Sequence, residues 1–262
     1  MEIEAMFQQV PAWLFYAITV VIVLLSFACG VFFGPSIQKE GAHSVIESVV
    51  AAMFVMLALI LALTFSLSAS RFDNRKQVLL DEVNAIGTAF LRTDFLSASQ
   101  RTASRKLLKE YVDILVEAAA LRNEKILIQL LVDSEAIHNR LWSQINTLPK
   151  QDVNSVLLGL YIQSLNDIID IHSKRSTIVL QHHIPWPIWV TLFIVTMMTM
   201  MGVGYQFKHT KTNNWVSILL LAFSFSAVIT LIEELDRTSS NLLTVSQKPM
   251  INFQKKLSTS DL

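Results

Sequence analysis

Phe54, Leu57, Leu61, Thr64, Ser68, Arg71 and Arg75 recur at intervals of three, four, three, four, three and four residues. A helix wound at about 3.5 residues per turn places all seven on one stripe. Along that stripe the side chains grade from aromatic and aliphatic, through hydroxyl, to guanidinium. In a ring of subunits such apolar layers would gate by dewetting, and cationic rings at the mouth would favour anions. Beside it Ala51, Ala58, Ala62, Ser66 and Ala69 form a small-residue stripe of the kind that close helix packing in lipid prefers. The spacing predicts Phe54, Leu57, Leu61, Thr64 and Ser68 as pore-lining or gating residues, with Arg71 and Arg75 at a cytoplasmic mouth. It also fits a plain anchor, in which Phe54, Leu57 and Leu61 face lipid and the arginines hold the span at its end.

Other chemistry is sparse. The sequence has no glycine-rich phosphate loop, no cysteine pair and no nucleophile elbow. Its histidines are His43, His138, His172, His182, His183 and His209. His182 and His183 are adjacent rather than four apart, so a helix cannot easily aim both at one metal. Asp167, Asp170 and His172 spread widely around a helix, which favours a surface or interhelical polar cluster over a metal site. Glu233, Glu234 and Asp236 close an apolar run and are weak candidates for a cation; an interfacial stop signal is the simpler expectation. No catalytic residue, cofactor or dedicated metal centre is predicted, and the chain is not expected to be an enzyme.

These residues must be positioned by membrane-spanning helices. Val49 to Ser70 contains no ionisable side chain. At about 1.5 Å per residue that length crosses a hydrocarbon core of roughly 30 Å. Between Gly41 and Gly87 there is no glycine, so nothing obliges this helix to stop at the membrane surface. Three further runs are similar: Pro11–Phe33, Ile184–Phe207 with Pro185, Trp186, Pro187 and Trp189 at its start, and Trp215–Ile232 leading into Glu233. The expected fold is all-α and integral to the membrane, with spans at about 11–33, 47–70, 184–207 and 215–233. The hydrophobic share of 52% then averages a membrane part with an ordinary polar part. The first run follows Glu2 and Glu4 with no basic residue, so a retained span is expected rather than a cleaved leader. Cys29 lacks the leucine three residues before it that a lipoprotein cleavage box would carry.

With four spans, both termini share a side with residues 71–183. That side carries Arg71, Arg75, Lys76, Lys174, Arg175, Arg237 and Lys248, against Lys39, Lys208 and Lys211 on the other. The positive-inside rule assigns the termini and the insert to the cytoplasm. The insert reads as about four helices. Phe72, Leu79, Val83, Ile86 and Phe90 give an amphipathic helix to about Phe95, and Ser97 to Gln100 matches a capping box that opens the next. Further helical patterns cover Glu124–Thr147 and about Asp152–His182. Residues 71–183 hold fourteen basic and thirteen acidic side chains, which gives a nucleic-acid surface no electrostatic support. Residues 236–262 form a tail, polar and mobile from Gln247 onward.

Several stretches resemble an uncharacterised bacterial membrane family described as bestrophin-like. They include Ser70–Gln77, the run Asp81-Glu-Val-Asn-Ala-Ile-Gly-Thr-Ala-Phe-Leu-Arg92, Tyr111–Asp113 and Ser164–His172. Leu231–Arg237 and Val245–Pro249 extend the resemblance to the end of the chain. After Arg237 the family continues with Pro and later Gly, whereas Thr238 and Asn241 stand here. The resemblance implies two spans, a cytoplasmic helical insert and two more spans, assembled as a pentamer around the second span. Bestrophins with that layout are anion channels; their calcium-binding acidic cluster has no clear counterpart here. The leading expectation is therefore an oligomeric ion channel of the bacterial inner membrane, anion-conducting, whose partners are lipid, further copies of the chain and inorganic ions. The alternative is a non-conducting module in which the spans anchor and oligomerise a sensing or docking insert. The Gly87–Thr88 patch predicts a close helix–helix contact, because glycine in a helix interior costs about 1 kcal/mol against alanine.

Overall fold

Alternation is absent and helical periodicity dominates throughout, and the regular structure found among the described residues is all helical. The computed structural model describes residues 10–34, 42–120, 124–146, 156–181, 184–208, 215–237 and 243–259. The helices are α1 (Ala12–Phe33), α2 (Ala42–Arg92), α3 (Ala98–Ala120), α4 (Glu124–Asn146), α5 (Val156–Gln181), α6 (Trp186–Phe207), α7 (Trp215–Asp236) and α8 (Lys248–Thr259). A short 3-10 turn, Thr93–Phe95, follows α2. His182, His183 and His209 lie outside the described residues, as do the segments around Pro149 and Asp152 and the positions Thr238 and Asn241.

The chain forms two compact units, Met1–Phe72 with His183–Thr244, and Asp73–His182 with Val245–Leu262. In the first, α1, α6, α7 and the leading part of α2 are each long and apolar enough to cross a membrane. Prolines punctuate the helix starts. Pro11 caps α1, its carbonyl accepting from the N–H groups of Leu14 and Phe15. Pro187 sits in the first turn of α6, where a missing N–H costs nothing. Thr19, Thr64, Thr196 and Thr199 donate their hydroxyls to the carbonyls four residues back, which keeps each helix polar-satisfied without water. At one end Phe27, Phe207 and Trp215 meet edge to face, with centroids 5.2–5.9 Å apart.

Glycine decides how closely α1 and α6 approach. A methyl group built on Gly30 would overlap the Met201 carbonyl, and one on Gly204 would overlap the Phe27 carbonyl. The two backbones touch, as small residues permit in lipid. The outer surface of this unit stays apolar, with Val21, Leu25, Val216 and Leu220 all more than half exposed. So much apolar surface needs a non-aqueous neighbour.

The second unit buries one core. Leu79, Ile86 and Phe90 of α2 pack with Leu108, Val112 and Leu115 of α3, Ile137 and Leu141 of α4, and Leu165 and Ile168 of α5. The expected capping segment opens α3, Ser97 donating to the Gln100 side chain at 2.8 Å. The expectation of a mobile end is corrected: Lys248–Thr259 is a helix, with Met250 and Leu257 buried in this core. Its apolar residues recur at intervals of three and four (Met250, Phe253, Leu257), so its amphipathic face needs a partner to be stable. Gly87 faces Phe253 of that helix at 3.5 Å from a hypothetical methyl group, an ordinary contact rather than a tight one.

Candidate functional site

The stripe from Phe54 to Arg75 does share one face of α2, but that face is turned toward its own chain. Leu57 has no exposed surface, Ser68 none, Thr64 2% and Leu61 7%. Leu57 and Leu61 pack with Phe15 of α1, Leu192 and Val195 of α6, and Ile229 and Ile232 of α7. Phe54 stacks on Phe225 with centroids 6.0 Å apart. Within the chain, Leu57, Thr64 and Ser68 therefore face inward, against the other spans. Period alone could not separate the two faces, because a stripe and its opposite share the same spacing. The small stripe lies open: Ala51, Ala58, Ala62 and Ser66 are exposed.

The arginines are also engaged. Arg71 is half-buried and pairs with Asp236 at 3.5 Å, while the nearer neighbour in sequence, Asp73, is exposed. Arg75 is buried. Asp236 receives the Ile184 N–H on both carboxylate oxygens, at 3.1 and 3.0 Å. Glu233 pairs with Arg237 one turn on, and Arg237 donates to the Val10 carbonyl. The acidic end of the fourth span therefore ties down the ends of the other three. Among the described residues no three of His, Cys, Asp and Glu converge as a metal site. Glu233 and Asp236 spend their charge on arginines.

A second polar assembly lies in the core of the other unit, beyond the charge-free segment. Glu82 of α2 is fully buried. Its Oε1 accepts from the Tyr111 hydroxyl of α3 at 2.8 Å, and its Oε2 pairs with Arg175 of α5. The Tyr111 oxygen lies 3.0 Å from Nδ1 of His172. Since that hydroxyl donates to a carboxylate, it accepts from His172, which places the proton on Nδ1. His138 of α4 packs against both rings, 4.8 Å from Tyr111 and 4.9 Å from His172 between centroids. Burial raises the Glu82 pKa, but Arg175 and hydrogen bonds from His172, Tyr111 and Arg175 outweigh it and leave the carboxyl below its ordinary value. Burial and the Glu82 charge push Tyr111 well above its own. Desolvation first, then His172, pushes His138 down to about 4.

Spacing drew attention to His172 beside Asp167 and Asp170. Those two aspartates are exposed while His172 is buried, so only the histidine joins the interhelical cluster. Glu82, Tyr111, His138 and Arg175 were not singled out by the sequence as site residues. The available signal was their register: Glu82 lies between Leu79 and Ile86, Tyr111 beside Leu107 and Leu108, and His138 beside Ile137 and Leu141, all on buried faces.

Four apolar spans, tied at one end by buried ion pairs, and a helical insert with a polar core define an integral membrane protein of the four-span type. A family model described as the Bestrophin-like domain matches residues 13–250, and the chain belongs to that family. The fold is similar to that of a bacterial bestrophin homologue from Klebsiella pneumoniae. A point-substituted form of it superposes with a TM-score of 0.66 at 13% identity, covering 91% of this chain and 97% of that one. Another structure of the homologue, phased on zinc, gives 0.63 at 14% identity, covering 91% and 96%. A point-substituted protein described only as a membrane protein gives 0.66 at 13%, covering 93% and 96%. No curated protein matches the chain in sequence.

Proposed function

We propose that the chain assembles into a ring, with five copies favoured, and forms an anion-conducting channel of the bacterial inner membrane, its termini and insert in the cytoplasm. The observation that carries this is the two-sided character of the second span. One face is buried against its own chain, while the opposite face lies open along the whole apolar length. That open face carries Ser48, Ala52, Val55, Leu59, Ala62, Ser66 and Ser70, every one exposed. Its spacing is again four and three, and its small side chains suit close approach of identical helices. We assign the lining to this row in place of the Phe54 row, with Val55 and Leu59 as the apolar constriction that gates by dewetting. The family resemblance supports conduction of anions; Arg71 and Arg75, engaged within the chain, are not free to select them.

Cysteine accessibility tests the assignment. The exposed Cys29 is first replaced by alanine. In reconstituted protein, cysteine at Leu59 or Ser66 should react with a charged thiol reagent and block flux, whereas cysteine at Leu57 or Thr64 should be protected. Block from the Leu57 side alone would reverse the lining. Monomeric protein that passes no ions would remove the channel altogether and favour the anchored sensing module. The polar core of the insert is the observation that speaks for that second function.

A further inference from the structure

His138 and His172 are each more than nine-tenths buried, and the Nε2 atom of each lacks a hydrogen-bond partner. Their planes cross at 82°. Around them α2 brings Glu82, α3 brings the Tyr111 phenol, and α5 brings Arg175. Both oxygens of Glu82 are already committed to Tyr111 and Arg175. The two histidines sit differently toward the Glu82 carboxylate. His172 has the Glu82 carboxylate 3.8 Å from its Nδ1, whereas His138 has no carboxylate within ion-pair distance among the described residues. A proton on His138 therefore places a cation in the core beside a second imidazole, and the Glu82 charge offsets only part of that cost. Doubly protonated, the ring carries an N–H on Nε2 that has no acceptor, and burying a poorly paired charge is among the most expensive things a core can do.

We infer that His138 is an acid-operated latch: proton uptake at its imidazole releases α4 from the core of the insert so that water can solvate the charge. α4 is the element that leaves: Glu82, Tyr111, His172 and Arg175 remain joined by their own hydrogen bonds, while α4 gives up the packing of Ile137 and Leu141 and the Ser104–Gln144 hydrogen bond. The sign follows from linkage. Released, His138 binds its proton near the ordinary value of about 6.5; docked, it holds off until about 4. The released state thus carries more protons between those values, and docking weakens as pH falls through that window. Glu82 lies on α2, the helix that also forms the second span. On the channel function proposed above, and only for this last step, release of α4 would alter conduction.

Hydrogen exchange on the full chain in lipid nanodiscs tests the latch, read as protection factors so that intrinsic exchange rates cancel. Protection of α4 should fall by up to about tenfold per pH unit between about 6.5 and about 4, while α3 and α5 change less. His138→Phe keeps a ring packed against Tyr111 and cannot titrate, and His138→Gln is the polar non-titrating control. Whichever of them folds should hold α4 protection flat over the same range. Flat protection in the natural sequence, or an equal fall in the variants, overturns the latch. Anion flux measured in parallel separates the two proposals: release of α4 without any flux overturns the channel alone, and flux with α4 unmoved overturns the latch alone.

Discussion

Tyr111 holds the polar core together because its single hydroxyl serves two helices. It donates to Glu82 of α2 and accepts from His172 of α5, while its own helix is α3. Tyr111→Phe should cost about 1–3 kcal/mol, since it leaves a buried carboxylate oxygen short of a donor while keeping the ring. Chemical unfolding of the detergent-solubilised protein, followed by a probe in the insert, would measure it; an unchanged midpoint would mean that water replaces the hydroxyl. Glycines behave differently by site. Gly30→Ala and Gly204→Ala each force a methyl group into a facing backbone carbonyl, and should lower thermal stability and part α1 from α6. Gly87→Ala has room beside Phe253 and should raise stability by up to about 1 kcal/mol through helix propensity. A thermal ranking in which Gly87→Ala is the worst of the three would contradict this placement.

At the scale of elements, α8 illustrates how a short polar segment becomes ordered. Twelve residues make a helix that is marginal alone in water. Docking supplies what propensity does not: Met250 and Leu257 enter the core, and Gln254 donates to Asp113 of α3 at 2.7 Å. Leu257→Ala should therefore cost about 2 kcal/mol or more and expose the end of the chain to limited proteolysis. A cleavage pattern identical to the unmodified protein would show that α8 docks without it. The same logic applies to the end of α7. There Asp236 ties Arg71 and the Ile184 N–H just before α6, so Asp236→Asn should loosen the ends of the spans and lower the melting temperature.

For the whole molecule, the proposed ring turns on which face of the second span would meet its axis. Substituting Glu at Arg71 would break the pair with Asp236 and set two carboxylates together, so its main effect should be loss of stability or assembly. Substituting Lys or Glu at Ser66, on the open face, should instead change ion preference in opposite directions, because a ring repeats the charge in every copy. Reversal potentials across a salt gradient would decide it. A selectivity shift from the Arg71 change in a fully assembled, equally stable protein would return the lining to the buried row.

The sequence by itself determined the all-helical class, the four spans and the continuity of the second span into polar sequence. Each of these rests on local composition and spacing: an uninterrupted apolar length, and a helix from Ala42 to Arg92 with no proline and no glycine before Gly87. It also carried the family, through runs such as Asp81–Arg92. Only the tertiary structure decided facing. Phe54, Leu57 and Leu61 and the opposite row Val55, Leu59 and Ala62 have the same period, and in lipid both faces are apolar, so hydrophobicity does not mark the inside as it does in water. The polar core was hidden for the converse reason. Glu82, Tyr111, His138 and His172 stand on four different helices, scattered over ninety residues of sequence. No spacing rule joins them, and only packing brings one carboxylate within reach of a phenol, an imidazole and a guanidinium. The order of α8 belongs with these, because a helix too short to stand alone is specified by the surface that receives it.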